Sequence, residues 1–581
     1  MDYTTRREFL KTVGIAAMST GILTPSAARG GPRGKHPNVI LVMTDDQGYG
    51  DLGCHGNPVI KTPHLDALYA QSVRLTNFHV GPTCSPTRAG LMTGHYCNRT
   101  GVWHTIMGRS LLRKGELTMG DVFSASGYRT GIFGKWHLGD NYPFRPQDRG
   151  FGEVLIHGGG GVGQGPDYWG NDYFDGTYFH NGRPEKFRGY CTDVWFDGAM
   201  KFIEANKNRP FFCYLPTNAP HGPYNISEAY MKPYLDKGLP ENQARFYGMI
   251  TNIDDNMGRL ARRLKELDLE ENTILIFMTD NGTSGNGFNA GMRGKKGSEY
   301  DGGHRVPCFV RWPAGSLKSG KDIERLTAHV DLLPTFIDLC GLKQPRGVVF
   351  DGDSIARLLT GNDGKWPART LVTDSQRIEH PEKWRKSAVM TDRWRLINGK
   401  ELYDMKADPG QEKDIAGVHP QVVGTLREAY ENWWAGVSER FDEYCEIIIG
   451  SDKQNPTRLM SHDWHGSKVP WHQNAVRNGM RADGFWAVEI ERSGAYQFEL
   501  RRWPEEVDAP INTAIPGGKA ISVTKARLKV ANIDQTKRVR DDAKAVTFRI
   551  ELKAGKTRLQ TWFLDDKEAS RGAYYVYAKR L

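Results

Sequence analysis

Four stretches of the chain are largely apolar and of strand length: Asn38–Thr44, Arg129–Phe133, Phe211–Leu215 and Thr273–Thr279. Runs without polar alternation mark strands buried on both faces, the kind that build parallel sheets. Between the last two lies a segment from about Ala244 to Asp268 in which Ile250, Ile253, Met257, Leu260 and Leu264 recur at helical spacing. Strands of this type alternating with helices predict an α/β fold around a large, mixed but mostly parallel sheet. Each run ends in polar residues: Asp45-Asp46-Gln47-Gly48, Lys135-Trp136-His137, Thr217-Asn218-Ala219-Pro220-His221 and Asp280-Asn281-Gly282. Ligands of such sheets sit beyond the carboxyl ends of the strands, so these residues are expected on one edge.

The pattern changes after residue 450. Phe485–Ile490, Ala495–Leu500, Ala545–Ile550 and Tyr574–Tyr577 alternate in strand fashion between glycine-bearing turns and predict a small antiparallel sandwich. A carbohydrate-binding module and a structural lid both fit it. Residues 451–581 hold 24 Lys and Arg against 16 Asp and Glu, most of the chain's net charge of +10, which fits an anionic partner and a solubilising face equally well. His462, Asp463, Trp464, His465, Trp471 and His472 gather at its start. Stacking on a sugar or holding a metal competes there with plain interdomain packing, the commoner outcome. Eight irregularly spaced cysteines exclude a disulfide framework and paired zinc knuckles. Gly158–Gly163 satisfies GxGxxG, but Gln164-Gly165-Pro166-Asp167 opens no helix, so it reads as a mobile substrate-side loop and not a dinucleotide site. No nucleic acid is expected as a partner.

At the N-terminus, Arg6-Arg7 precedes Phe9-Leu10-Lys11, a short apolar run to Leu23 and the small residues Ser26-Ala27-Ala28. The run is too short to span a bilayer, and residues 1–28 read as a cleaved signal resembling the twin-arginine type. The expected product is periplasmic or secreted, passes through the twin-arginine machinery already folded, and has no membrane segment in its mature form.

Asp45, Asp46, Asp280 and Asn281 are all oxygen donors, with no His or Cys among them. Gathered together they suit Ca2+ or Mg2+; apart, each pair would simply end its strand in a turn. The segment Cys84-Ser85-Pro86-Thr87-Arg88 places a proline in the first turn of a helix, Cys84 at its N-terminus and Arg88 one turn on. The spacing is not the Cys-x5-Arg of cysteine phosphatases, and no thiol-protease signature surrounds it. A buried structural cysteine would leave the proline and the arginine unaccounted for.

Cys84, Pro86 and Arg88, followed by Thr93-Gly94, resemble the signature of the type I sulfatases, the formylglycine-dependent, arylsulfatase-like family of the alkaline phosphatase-like superfamily. Gly134-Lys135-Trp136-His137-Leu138-Gly139, Ala219-Pro220-His221, Thr279-Asp280-Asn281-Gly282 and Arg293-Gly294-Lys295-Lys296-Gly297 resemble further family motifs, as do Glu401–Asp404 and Asp408-Pro409. The likeness spans about residues 37–440. It implies a three-layer catalytic domain (36–365) and a small α+β C-terminal subdomain (366–450), after which the charge and strand pattern mark an additional basic β-rich domain (451–581). It also implies that a formylglycine-generating enzyme oxidises Cys84 to formylglycine, whose hydrate hydrolyses sulfate monoesters of aryl or carbohydrate substrates through a covalent sulfoenzyme. In that scheme one divalent cation, Ca2+ or Mg2+, is held by Asp45, Asp46, Asp280, Asn281 and the modified Cys84. Arg88 positions the nucleophile, Lys135 and Lys296 face the sulfate, His137 is the base and His221 protonates the leaving group. Asp301-Gly302-Gly303-His304-Arg305 departs from the family's usual Glu-Gly-Gly pattern, which leaves the part played by His304 open. A phosphonate or phosphate monoester hydrolase, and a silent binder of sulfated glycans should Cys84 stay a thiol, remain alternatives.

Overall fold

Asn38–Thr44 forms strand β1, and its side chains alternate between two cores. Val39, Leu41 and Met43 pack on one face with Ala89, Leu91, Val122 and Phe123, while Ile40 and Val42 pack on the other with Trp195, Phe196, Met249, Ile253 and Leu260. That double burial explains the unbroken apolar run. In a computed structural model, which describes residues 36–581 apart from 286, 316, 318 and 362–365, β1 is central to a ten-stranded sheet. The export signal expected over residues 1–28 lies outside the described residues. Among the described residues no helix is long and apolar enough to cross a membrane.

Helix α1 spans Cys84–Thr93, strand β2 Arg129–Lys135, β3 Phe211–Pro216, helix α2 Glu241–Glu266 and strand β4 Thr273–Thr279. β4, β1, β3 and β2 are adjacent and parallel, with Thr44 opposite Thr279 and Met43 opposite Pro216. Their carboxyl ends therefore stop at one level. The outer strands at Cys308–Arg311 and Thr177–His180 run antiparallel to their inner neighbours, which makes the sheet mixed. The apolar face of α2 lies on one side of the sheet and α1 on the other, giving three layers.

A four-stranded antiparallel sheet follows: β5 (Leu371–Asp374), β6 (Ser387–Met390), β7 (Trp394–Ile397) and β8 (Glu401–Asp404), covered by helix α3 (Pro420–Ser438) through Val423, Leu426 and Tyr430. Beyond it, two further sheets enclose one apolar core that includes Trp464, Trp486, Phe498, Phe548 and Phe563. Met107, Leu111 and Phe144 from the N-terminal half join this core. The sheets are not wholly antiparallel, since Ile447–Ile449 pairs parallel with Phe485–Ile490. Lys525–Val530, Ile533–Arg538 and Gly555–Leu564 are strands as well; their dense charge hides the alternation, because Ala526, Leu528 and Val530 point inward between exposed or half-buried basic residues.

Candidate active site

The ends of β1 and β4 bring Asp45, Asp46, Asp280 and Asn281 together, all fully or almost fully buried. Asp46 has a left-handed backbone, φ 68°, and its N–H donates to Asp280 Oδ1 at 3.0 Å. Asn281 Nδ2 donates to Asp46 Oδ1 at 3.0 Å. α1 delivers Cys84 into the same place, with Sγ 3.3 Å from Asp45 Oδ1 and 3.9 Å from Asp46 Oδ1. Ligand atoms of Asp45, Asp46, Cys84 and Asp280 all lie within 4.8 Å of one another.

Three cations meet these carboxylates. Arg88 is locked between Asp280 Oδ2 (2.9 Å) and the Lys135 carbonyl (2.9 Å). Lys135 Nζ is 2.6 Å from Asp45 Oδ2, and Lys296 Nζ reaches both oxygens of Asp46, at 2.6 and 2.7 Å. Charge balance is nevertheless local. Burial would raise the Asp46 carboxyl, but Lys296, His221 and Lys135 override it and hold it well below the usual range. Burial, with Asp45 close by, pushes Asp280 up to about 7 despite Arg88. Burial also pushes the Cys84 thiol up to about 12, reinforced by Asp45 and only partly offset by Lys135 and Lys296.

The two histidines flank this cluster differently. His221 Nε2 stands 3.7 Å from Asp46 Oδ2, its Nδ1 donates to the Gly222 carbonyl at 2.6 Å, and its side chain keeps 22% exposure, so it lies at the mouth. Burial takes it down to about 4, against the pull of Asp46. His137 joins through its backbone, its carbonyl accepting from Ser85 Oγ at 3.0 Å. Its ring makes no hydrogen bond to the cluster: Nε2 donates to the Thr105 carbonyl at 2.8 Å, and Nδ1 is buried without a partner. Burial, then Lys135 and His462, hold this ring neutral. His304 is not at this site; it lies in a separate buried network described below.

The sulfatase family model matches residues 37–342, more than half of the chain. The chain belongs to the sulfatase family. It is a hydrolase of sulfate esters, on the fold and family of enzymes that act on aryl and carbohydrate sulfates. A second model, the C-terminal region of N-sulphoglucosamine sulphohydrolase, matches residues 295–431. This sulfatase is 29% identical over 414 residues to an ulvan-active sulfatase of Formosa agariphila, covering 66% of this chain and 77% of that protein. It is 29% identical over 458 residues to arylsulfatase A of Homo sapiens, covering 68% and 86%. Among solved structures, Ps i-CgsB in complex with k-i-k-neocarrahexaose superposes with a TM-score of 0.64 at 26% identity, over 71% of this chain and 95% of that one. Residues beyond 431 lie outside both matched family segments.

The oxygen cluster fits a hard divalent cation. Its donors are carboxylates and an amide, and Asn281 Oδ1 is buried with no hydrogen-bond partner, an acceptor waiting for a positive charge.

The glycine-rich loop at 158–163, expected to be mobile, is tied down on both sides. Gly158 and Gly163 N–H groups donate to Asp167, and Gly159 N–H to Asp140. A Cβ on Gly160 would collide with the His137 ring, so only glycine lets this loop lie against it. The far side of the loop is bonded to residues 471–473.

Proposed function

We propose that this sulfatase acts on sulfated carbohydrates and that Cys84 is the precursor of its nucleophile, formylglycine. One observation carries the second half: helix α1 sets the buried Cys84 Sγ 3.3 Å from Asp45 Oδ1 inside the acidic cluster, surroundings that disfavour a thiolate, so Cys84 as encoded is a poor nucleophile in a place where chemistry is concentrated. The ulvan named for one relative and the neocarrahexaose bound by another support the carbohydrate class.

The modified residue supplies a hydrated aldehyde, a hydroxyl nucleophile. A bound cation, Ca2+ by the hardness of its donors with Mg2+ as the alternative, supplies Lewis acidity; Asp45, Asp46, Asp280 and Asn281 would hold it. Arg88, immobilised by Asp280 and the Lys135 carbonyl, fixes the position of residue 84. Lys135 and Lys296 stand ready to neutralise the nonbridging oxygens of an anionic ester. His137 Nδ1 carries the lone pair, because Nε2–H is committed to Thr105, and this makes it the acceptor for a hydroxyl proton. His221 is neutral in the free protein; an anionic ester beside it raises its pKa, so it takes up a proton with substrate and returns it to the leaving alcohol.

We assign residues 36–365 to the catalytic unit, 366–450 to the C-terminal subdomain and 451–581 to an accessory unit, with residues 1–28 directing twin-arginine export to the periplasm or exterior. The test is the mass of the peptide containing Cys84 from protein made beside a formylglycine-generating enzyme. A loss of about 18 Da against the thiol form is expected. An intact thiol in material that turns over 4-nitrophenyl sulfate would overturn the assignment.

A further inference from the structure

The two C-terminal sheets are not remote from the catalytic centre. Residues 461–473 run along it. The Gly165 N–H donates to the Trp471 carbonyl at 3.0 Å, and Gln164 and His472 form an antiparallel bridge. Gln473 reinforces the seam, its amide donating to the carbonyls of Gln164 and Tyr168 at 3.1 and 3.2 Å and accepting from Gly170 N–H at 3.0 Å. The same glycine loop lies against His137 on its other side. Deeper in, the Met107 N–H donates to the His462 carbonyl at 3.0 Å, two residues from the Thr105 carbonyl that orients His137.

Two features of this segment lack a structural explanation. His462 is oriented by Asp463, Nδ1 to Oδ1 at 2.8 Å, and its ring stands 6.3 Å from that of His137. Its side chain is only 2% exposed, yet Nε2 has no partner, just as His137 Nδ1 has none. A buried ring nitrogen left unpaired is destabilising unless a ligand satisfies it. At the rim, Trp471 is 41% exposed, one of few large apolar side chains in the described residues left open, and His472 sits edge-on to it at 5.3 Å. His472 pairs with Gln164 on the same loop whose Gly160 lies against His137, which sets Trp471 and His472 beside the segment that borders the catalytic histidine.

We propose that Trp471 and His472 form a subsite for a sugar ring adjoining the sulfate under attack, with His462 as the inner polar wall. The ligand class is a sulfated oligosaccharide. An indole offers a flat apolar face to a sugar ring, the imidazole a hydrogen-bonding edge to its hydroxyls, and the basic excess of residues 451–581 attracts the rest of an anionic chain. The inference rests on the carbohydrate reading above and extends it to residues that neither family match covers.

Turnover by the matured, full-length enzyme would be measured on 4-nitrophenyl sulfate and on oligosaccharides cut from carrageenan, ulvan and glycosaminoglycans, using the one wild type desulfates fastest. Trp471→Ala and His472→Ala should each raise KM for that oligosaccharide about tenfold at near-constant kcat, and lower kcat/KM for the aryl ester less than twofold. Trp471→Phe should restore most of the affinity. Equal losses on both substrates, no loss on either, or no turnover of any oligosaccharide by wild type would overturn the subsite. Aryl sulfate turnover by wild type leaves the sulfatase chemistry standing in each of these cases.

Discussion

Two buried clusters among the described residues offer metal-type ligand atoms within 4.8 Å of one another: Asp45, Asp46, Cys84 and Asp280 at the strand ends, and His79, Asp301 and His304 nearby. By composition the second is the better transition-metal site, with two imidazoles and a carboxylate. Its hydrogen bonds say otherwise. His79 Nδ1 meets His304 Nδ1 at 2.9 Å, His304 Nε2 meets the Glu299 carbonyl at 3.0 Å, and His79 Nε2 meets Asn77 Oδ1 at 2.8 Å. Arg395 takes Asp301 at 2.9 Å and also approaches His79. Every ring nitrogen is used and the positive charge is already in place, so nothing is left for an ion. In the first cluster Asn281 Oδ1 is orphaned and Asp280 is held up near 7, so it is poised for a ligand. What separates a functional cluster from a structural one is unfinished pairing, not residue type. The comparison also accounts for His304: it anchors Glu299, three residues after Lys296, and touches no part of the catalytic cluster.

Cys84→Ala should remove the nucleophile and cut kcat by about 10^4-fold or more, with the thermal midpoint little changed; turnover within tenfold of wild type would show that residue 84 is not the reacting group. Asp280→Ala, or chelation of the wild type, should lower activity about 10^3-fold, and added Ca2+ should raise the melting temperature of wild type but not of the variant. An equal Ca2+ response in both would place the ion elsewhere. Asp301→Asn should act in the opposite sense: it strands the buried Arg395 charge and costs roughly 3–5 kcal/mol in denaturant unfolding, with no change in the Ca2+ response of the folded fraction. If Asp301→Asn left stability intact and abolished that response, the two clusters would have to exchange roles.

Of the two clusters only the catalytic one is legible in the sequence, and the reasons are local. β1 and β4 are apolar on both faces, so their boundaries and the acidic pairs that follow could be read directly, and α2, with its five apolar positions at helical spacing, appears within a few residues of its expected ends. Cys84, Arg88, Lys135 and Lys296 converge because they sit at strand ends and on a helix start, where topology fixes position. The end of β2 puts His137 near the site, but its ring direction depends on a φ of 61° and on the Thr105 carbonyl, neither of which residue types reveal. His462, Trp471 and His472 were visible as a cluster. Their neighbours were not, because contacts between residues some 300 positions apart leave no periodic trace. The strands at Lys525–Val530 and Gly555–Leu564 are hidden in the sequence for the opposite reason, since basic residues on the outward face mask a regular inward one.

The smallest effect should come from the loop that joins the two halves of the site. Asp167 is buried and accepts from the Gly158 and Gly163 N–H groups and from Asn171, yet burial outweighs these donors and raises its carboxyl to about 7. Its ordinary value is 3.8, so between about 4 and 7 the folded protein keeps a proton that the unfolded chain has lost. This contribution to stability is complete below about pH 4 and is lost as pH rises through about 7. Denaturant unfolding at pH 5 and pH 8 should therefore show a fall on the order of 2 kcal/mol from this group. Asp167→Asn, which keeps the acceptor oxygen without the charge, should flatten that slope and leave the protein more stable than wild type at pH 8. A variant whose stability still falls with the wild-type slope would mean that Asp167 stays ionised, its backbone donors having won over burial, and that the glycine loop is held by a charge and not by a neutral acid.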